Sequence, residues 1–374
     1  MTEKSLICTL METDPEWEQK IYEKNISIRR SNGYVIFNYG PGCDWADPVV
    51  REARGIIIDP KTCEVVCWPF SKFFNAEQTD FAAEIDWKTA RVQEKIDGSI
   101  VKLWYDENKD WQAKNCWRWS TNSVIDANDA PVQGFGSFQQ LIDSTPESGI
   151  IKKQLSTLDP DYTYIFELVS PENRIVIRHD ETRLWHIGTR NNRTGEEIHV
   201  NLGIQKPKEY KLLSLEACMN AVKILNAGAD IPDHEGFVVV DGHWNRIKVK
   251  SPEYVFLHAT LENRAFGKDR ILKMLLAGED IEYFCKNFPE FEVFFRYYQY
   301  KLAEIRYKGN QMRNKALALY EEYDHDIKAV AEQVKDDPYA AFAFQAIRKG
   351  MTAEETIQKM SLPAVARLVP EYAG

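Results

Sequence analysis

Hydrophobic and polar residues alternate in short segments through much of the first 258 residues, and Gly, Pro, Asn or Asp bounds the segments. A period of two with many β-branched and aromatic residues is typical of strands with one buried face. The pattern predicts strands at 34–39, 55–58, 64–68, 92–96, 99–105, 162–169, 174–178, 184–189, 236–240 and 245–250, with helices at 146–156 and 213–225. This arrangement predicts an α+β domain built on antiparallel sheets.

After residue 258 the apolar residues recur at helical spacing instead. One predicted helix face consists of Phe291, Phe294, Phe295, Tyr298, Leu302 and Ile305. Thr352 with Glu355 predicts a capping box at the start of a later helix. We therefore expect two domains, 1–258 with an N-terminal flanking segment and an all-helical 259–374.

Composition narrows the function classes. The chain has 374 residues, 44% of them hydrophobic, and a formal net charge of −10, so any nucleic-acid contact must come from a local basic patch. The N-terminus has no apolar signal region and no run is long enough to cross a bilayer, so we expect a cytoplasmic protein without membrane contact. Seven scattered Cys and seven His lack zinc-site spacing, which indicates free thiols.

The segment Lys95-Ile96-Asp97-Gly98 carries the clearest chemical signal. A lysine can attack a nucleotide phosphate, glycine lets the backbone approach a ligand, and an acid can orient the ammonium or a ribose. The same four residues also occur in ordinary solvated turns. The catalytic interpretation therefore depends on other parts of the chain.

Later segments supply acids and cations on predicted strands. Arg54 and Lys72 each lie beside residues that can approach a polyphosphate, and Glu167 and Glu235 lie in or next to apolar strands. Alternation in the last strand places three cations on one face, namely Arg246, Lys248 and Lys250. Such charges suit a site for a triphosphate and a divalent metal better than they suit a core.

A lysine near its usual pKa of about 10.4 is protonated and does not attack a phosphate. We expect the neighbouring Lys248 and Lys250, together with a metal, to favour the free amine of Lys95. Mg²⁺ and the cations would stabilise the charge that builds up as pyrophosphate leaves.

In this order the motifs resemble those of the covalent nucleotidyltransferase superfamily of ATP-dependent ligases and capping enzymes. Further segments resemble the bacteriophage RNA ligase 1 type over residues 34–258. These are 54–56, 72–75, 171–176, 194–196, 248–251, Tyr254 and 257–258. The resemblance implies a nucleotidyltransferase (adenylyltransferase) fold and an ATP-dependent RNA ligase that uses ATP and Mg²⁺ or Mn²⁺.

The resemblance also implies site residues. Lys95 would form lysyl-AMP, AMP would pass to an RNA 5′-phosphate, and a 3′-hydroxyl would then displace AMP. The implied ATP contacts are Tyr39, Arg54, Lys72, Asp97, Gly98, Glu167, Glu235, Lys248 and Lys250, with the last two as catalytic residues at the α-phosphate. The implied metal residues, through water, are Glu167, Glu235, Glu279 and Asp280.

The resemblance further suggests repair of RNA, with tRNA as one substrate, by a phage-encoded protein acting in the host cytoplasm. No residue encodes that substrate, and no obligatory protein partner is evident. Two other functions stay open: a catalytically silent RNA-end-binding protein, and a capping or DNA-ligase type nucleotidyltransferase. A capping enzyme or a DNA ligase would need a C-terminal domain of short strands, and the predicted helical tail argues against such a domain.

Several structural alternatives also stay open. Glu167 could pair with Arg174, Arg54 could pair with Asp59, and Lys248 with Lys250 could guard an exposed sheet edge. Where the family has a basic residue followed by Gly-Ser, either Lys114 or Arg118 could take the role. Trp117 and Trp119 could be core residues or could stack on RNA bases.

The predicted helix near 288–315 is locally basic. Its cations are interleaved with tyrosines, so it could dock RNA phosphates and bases. An ordinary solvated helix face explains the same residues equally well.

Overall fold

The computed structural model describes residues 4–78, 80–107, 116–226, 233–261, 267–278, 281–287 and 289–372. The chain divides into two compact units, Met1–Ala259 and Thr260–Gly374. The first unit contains the strands of the described chain, and the second is helical.

The first unit combines short strands with short helices. Its strands are β1 (Ile26–Ser31), β2 (Tyr34–Tyr39), β3 (Arg54–Asp59), β4 (Glu64–Cys67), β5 (Phe74–Asn75), β6 (Arg91–Glu94), β7 (Ser99–Tyr105), β8 (Trp117–Thr121), β9 (Pro131–Val132), β10 (Gly136–Ser137), β11 (Tyr162–Val169), β12 (Arg183–Asn191), β13 (Glu197–Ile198), β14 (Glu209–Tyr210), β15 (Gly236–Val240) and β16 (Arg246–Lys250). Its helices are α1 (Leu6–Thr13), α2 (Trp17–Glu23), α3 (Pro48–Glu52), α4 (Phe138–Asp143), α5 (Pro146–Gln154) and α6 (Leu215–Leu225), followed by α7 (Pro252–Leu261).

These strands form three main sheets. The first has the order β1-β2-β3-β4, the second β13-β12-β11-β7-β8, and the third β14-β6-β15-β16-β5. All pairs in them are antiparallel except β16 with β5. The predicted fold class, an α+β domain on antiparallel sheets followed by a helical region, is confirmed.

Strand alternation decides which face of each sheet is buried. In β16, Ile247 and Val249 are buried in a core with residues of α6, while Lys248 lies on the opposite face. In β7, Val101 and Leu103 belong to a core that α4 and α5 complete. The opposite faces of these two sheets are therefore free to carry polar groups.

Most of the predicted strands exist, and one does not. Residues 174–178 form no strand, because the amides of Val176 and Ile177 donate to the Asp97 carboxylate at 2.8 and 2.7 Å instead of to a neighbouring strand. The sequence pattern also missed β1, which pairs with β2 through the two-residue turn Asn32-Gly33, and it missed β8.

The second unit consists of helices. They are α8 (Lys268–Ala277), α9 (Ile281–Asn287), α10 (Glu292–Glu322), α11 (Ile327–Val334), α12 (Ala340–Lys349), α13 (Ala353–Lys359) and α14 (Leu362–Leu368). The predicted apolar face is buried on α10 at Phe295, Tyr298, Leu302 and Ile305. The predicted capping box is confirmed, since the Thr352 hydroxyl accepts from the Glu355 amide and the Glu355 carboxylate accepts from the Thr352 amide.

Acidic side chains pair with several cations of the predicted basic helix. Arg296 pairs with Glu292, and both Lys301 and Lys308 contact Glu304. Surface pairs of this kind contribute little to stability, but they reduce the charge available to an RNA phosphate. The pairing favours the interpretation of α10 as an ordinary solvated helix.

The described residues agree with two expectations from composition. The seven cysteines are free thiols. The search for a helix both long and apolar enough to span a membrane found none among the described residues.

We expect Asp97→Ala to lower the free energy of unfolding by about 2–3 kcal/mol, because two buried amides lose their acceptor. Tyr254→Phe should cost only about 1 kcal/mol, since it removes one donor (2.7 Å to Asp97 Oδ1) and leaves the amides paired. Urea denaturation of both variants measures the difference. Equal losses would contradict a role for Asp97 as the anchor of residues 170–178.

Candidate active site

Lys95 follows directly after β6 and lies beside β15. Its amide donates to Gly236 O at 2.8 Å, which continues the pairing of these two strands. Its Nζ lies 2.8 Å from Glu235 Oε2, and Lys250 Nζ lies 2.8 Å from Glu235 Oε1. One buried carboxylate therefore holds two of the predicted lysines, each through its own oxygen atom.

Two glycines allow this close approach of backbones. A Cβ on Gly236, whose φ is +140°, would lie 2.1 Å from Val249 O. A Cβ on Gly98 would lie 2.4 Å from Leu168 O, in the strand that carries Glu167. Larger residues would force these strands apart, so the glycines fix the distances between Lys95, Glu235 and Glu167.

Asp97 favours the Lys95 ammonium through its charge, and it also binds backbone amides. It is 4% exposed, and its carboxylate accepts from the Val176 and Ile177 amides and from the Tyr254 hydroxyl. Its carbonyl oxygen lies 2.8 Å from His179 Nε2. These contacts fix the backbone between Lys95 and Gly98 and occupy both carboxylate oxygens.

Glu167 lies on β11 opposite Ile100 of β7 and Trp185 of β12. Burial raises the pKa of Glu167 to about 7, although Lys95 acts in the opposite direction. The alternative partner Arg174 donates its Nε to Val176 O at 2.9 Å. Glu167 is therefore a buried acid that exchanges its proton near neutral pH.

The neighbours of Lys95 favour its ammonium form. Burial lowers its pKa, but the carboxylates of Glu235 and Glu167 outweigh burial, so the pKa of Lys95 is raised. We expected Lys248 and Lys250, together with a metal, to favour the free amine, and that expectation stays a prediction for the site with its metal and nucleotide bound.

Lys248 is the lysine that most readily loses its proton in this group. Burial lowers its pKa to about 7, assisted by the positive charges of Lys72, Lys250, Lys95 and Arg54. The strand is not a free edge at this point, since β5 pairs with it and Asn75 lies opposite Lys248. The structure thus brings five of the predicted cations into one electrostatic cluster, namely Lys95, Lys248, Lys250, Lys72 and Arg54.

Aromatic rings lie against several cations of the site. Lys72 Nζ lies 5.2 Å from the ring of Tyr39 and 4.8 Å from that of Trp45. The Arg54 guanidinium lies 5.1 Å from the ring of Phe73. Rings hold a cation without neutralising it, so these charges stay available to an anion.

Two cavities lie at the third sheet, and a residue of the cluster lines the larger of the two. One of about 290 Å³ lies between the second and third sheets and is lined in part by Gln93, Ile187 and Gly188. The other, of about 610 Å³, is lined in part by Lys72 and Arg246. Arg246 pairs with Glu197 and borders both cavities.

Some predicted residues do not join the site or cannot be placed. Arg118 pairs with Asp106 and Asp126, and it lies opposite Trp104, about 17 Å along β7 from Ser99. Lys114, Glu279 and Asp280 lie outside the described residues. Trp117 and Trp119 are buried in the core of the second sheet, which favours the structural alternative for both.

The sequence reasoning missed Lys102. It is fully buried on β7, and its Nζ donates to Gly55 O at 2.6 Å. The available signal was a lone cation in the apolar run 100–104, which is unusual because a buried lysine requires a partner.

Comparison with known proteins agrees with the geometry. A family model described as RNA ligase matches residues 52–254. A protein of Autographa californica nuclear polyhedrosis virus, named as a bifunctional polynucleotide kinase/RNA ligase, is 31% identical over 65% of this chain and 35% of its own length. An RNA ligase of Rhodothermus phage RM378 is 24% identical over 64% of this chain and 67% of its own.

A solved structure titled as an archaeal ATP-dependent RNA ligase covers 72% of this chain and 71% of its own, with 15% identity and a TM-score of 0.45. The aligned part spans from about a third to two thirds of the first two relatives' length. The family model alone spans more than half of the chain and includes Lys95, Glu167, Glu235, Lys248 and Lys250. The chain therefore belongs to the RNA ligase family.

Proposed function

We propose that this protein is an ATP-dependent RNA ligase in which Lys95 becomes covalently bound to AMP. The observation that carries the proposal is the position of Lys95, 2.8 Å from a buried carboxylate and within a cluster of cations. A cluster of this kind is unstable without an anion to bind, and a triphosphate supplies one. Membership of the RNA ligase family supports the same chemistry.

The cavity between the second and third sheets suits the nucleoside. Gln93, which lines this cavity, lies two residues before Lys95 and so on the same face of the third sheet, which supports the assignment. Its volume of about 290 Å³ lies at the lower end of the range for small-molecule sites. We assign Glu167 and Glu235 to the ribose or to metal-bound water, as membership of the RNA ligase family suggests.

The cations suit the three phosphates. We assign Lys248 and Lys250 to the α-phosphate, because they share the strand face beside Lys95. Tyr39, Arg54 and Lys72 then contact the outer phosphates, where aromatic rings hold the cations in place. Positioned cations stabilise the charge that develops on the departing pyrophosphate.

A divalent metal fits the described acids through water and phosphate. No group of three or more His, Cys, Asp or Glu side chains that could hold a metal occurs among the described residues. Mg²⁺ commonly needs only one or two carboxylates together with substrate phosphates, and Glu167 and Glu235 are the described acids that we assign to it. The metal would supply charge stabilisation at the phosphates, and Mg²⁺ is our assignment for it.

Covalent transfer needs Lys95 as the free amine. The ammonium first loses a proton, the Nζ lone pair then attacks the α-phosphorus, and the bond from that phosphorus to the bridging oxygen breaks as pyrophosphate leaves. The nitrogen gives up a second proton, to the departing pyrophosphate or to solvent, as the phosphoramidate forms. Glu235 is a weak base here, since Lys95 and Lys250 outweigh its burial and lower its pKa. Glu167, with a pKa of about 7, is the better proton acceptor in the site.

Sealing then uses two RNA ends. AMP passes from Lys95 to an RNA 5′-phosphate, and an RNA 3′-hydroxyl displaces AMP to form the phosphodiester bond. RNA repair in the cytoplasm, with tRNA as one candidate substrate, is the setting we propose.

Replacement of Lys95 by Ala should abolish covalent labelling of the protein by α-labelled ATP, because Lys95 is the nucleophile of the proposed reaction. The measurement is retention of label after denaturing electrophoresis in the presence of Mg²⁺. Lys88→Ala is the matched control, since Lys88 is an exposed lysine seven residues earlier and should label like the wild type.

The outcomes separate the candidate functions. Absence of label on the wild type would favour a catalytically silent RNA-end-binding protein. Label from GTP but not from ATP would favour a capping enzyme. Label on Lys95→Ala equal to that on the wild type would disprove the role of Lys95.

Binding of an ATP analogue with a non-cleavable α,β bridge should take up protons between about pH 7 and 9. The free-state pKa of Lys248 is about 7, so Lys248 is largely neutral above that pH, and a triphosphate beside it raises the pKa. Affinity for the analogue should therefore fall as the pH rises through this window. Calorimetry in buffers of different ionisation enthalpy counts the protons.

Lys248→Met should remove up to about one proton from this uptake, whereas Lys88→Met should leave it unchanged. Equal uptake by Lys248→Met and by the wild type would show that Lys248 does not contact the phosphates.

A further inference from the structure

Lys102 is a buried lysine that the chemistry above does not use. It lies on β7 two residues after Ile100, so it is on the same face of the sheet as Glu167, which lies opposite Ile100. It is fully buried, and burial lowers its pKa to about 8, with Arg54 acting in the same direction. A buried ammonium is costly, so the hydrogen bond that Lys102 makes must matter to the fold or the site.

That bond ends on an irregular point of the first sheet. Lys102 Nζ donates to Gly55 O at 2.6 Å. In the pairing of β2 with β3, Phe37 lies opposite Ile56 and Asn38 lies opposite Arg54, so Gly55 is an extra residue without a partner. Gly55 is thus a β-bulge, and bulges commonly redirect an adjacent side chain beside an active site.

The bulge leaves no room for another residue. The φ of Gly55 is +83°, and a Cβ there would lie 2.8 Å from Asn122 O and 2.9 Å from Lys102 Nζ. The lysine therefore occupies the space that a side chain on residue 55 would need. Lys102 and Gly55 form a matched pair across the interface between the first and second sheets.

Arg54 immediately precedes this bulge. Its guanidinium lies 5.1 Å from the Phe73 ring and is close enough to Tyr39 and Glu167 for both to affect its pKa, which burial lowers overall. A ladder without the extra residue would turn the side chain of residue 54 to the other face of β3. The direction of Arg54 therefore depends on the bulge, and the bulge carbonyl is bound by Lys102.

We propose that Lys102 is a positioning residue that holds the Gly55 bulge and thereby directs the Arg54 guanidinium towards the phosphates of ATP. This inference rests on the proposed function, in which Arg54 contacts the outer phosphates. Lys102 itself does not touch the substrate. It acts through one hydrogen bond to the backbone of its neighbour in the adjacent sheet.

A double-mutant cycle on lysyl-AMP formation tests the inference. Lys102→Met should raise the KM for ATP by about tenfold, with a smaller effect on the maximal rate, because a displaced Arg54 weakens phosphate binding. Arg54→Ala should have an effect at least as large. In the Arg54→Ala background, Lys102→Met should then change the KM by less than about twofold.

Two further variants serve as controls. Ser120 is buried on β8 directly opposite Lys102, so Ser120→Ala perturbs the same strand pair without touching Gly55 and should keep the wild-type KM. If Lys102→Met does not fold, we expect Lys102→Arg to raise the KM for ATP in the same way. Arginine keeps a buried cation, but its planar guanidinium does not place a donor where Lys102 Nζ contacts Gly55 O. The thermal midpoint of every variant is measured beside its kinetics.

Additive effects, with Lys102→Met equally harmful in both backgrounds, overturn the inference and leave the proposed function intact. A fall in thermal midpoint with an unchanged KM also overturns it, because that result describes a purely structural lysine. A wild-type protein that forms no lysyl-AMP overturns the proposed function, and the inference with it.

Discussion

The site depends on the contacts that the buried carboxylate of Glu235 makes with two lysines. Its two oxygens hold Lys95 and Lys250 at 2.8 Å each, at the point where β6, β15 and β16 lie side by side. Loss of this partner would remove the acid that contacts both lysines, and breaking such a pair costs more than the pair itself contributes to stability. The same contact explains why Lys95 rests as an ammonium, so that attack on a phosphate has to begin with the loss of a proton.

The candidate site carries more cations than Glu167 and Glu235 can neutralise. Burial lowers the pKa of Lys248, and repulsion by the nearby charges of Lys72 and Arg54 lowers it further. Aromatic rings hold Lys72 and Arg54 without cancelling their charge. A site of this kind gives up stability in the free protein and regains it when a polyanion binds.

Backbone contacts set the precision of the site. The carboxylate of Asp97 takes up the amides of Val176 and Ile177, which fixes the loop that follows β11. Gly98 and Gly236 let strands approach to distances at which a Cβ would collide with a carbonyl oxygen. The K-x-D-G segment is thus as much a packing motif as a chemical one, since Asp97 and Gly98 both position the backbone of neighbouring segments.

The sequence by itself determined the strands whose alternation is regular, the helical second unit, and the residues Lys95, Glu167, Glu235, Lys248 and Lys250. Periodicity is a local property, and ordered motifs can be read without coordinates. Tertiary structure decided what depends on neighbours distant in the chain.

The missing strand at 174–178 follows from a carboxylate almost 80 residues earlier, and the raised pKa of Lys95 follows from Glu235, 140 residues later. The contact between Lys102 and Gly55 depends on two sheets packing together, which no local pattern records. The fold as a whole sets how deeply each group is buried and how far apart the charges lie. Burial and these distances decide protonation states and side-chain orientations, which the local sequence pattern does not determine.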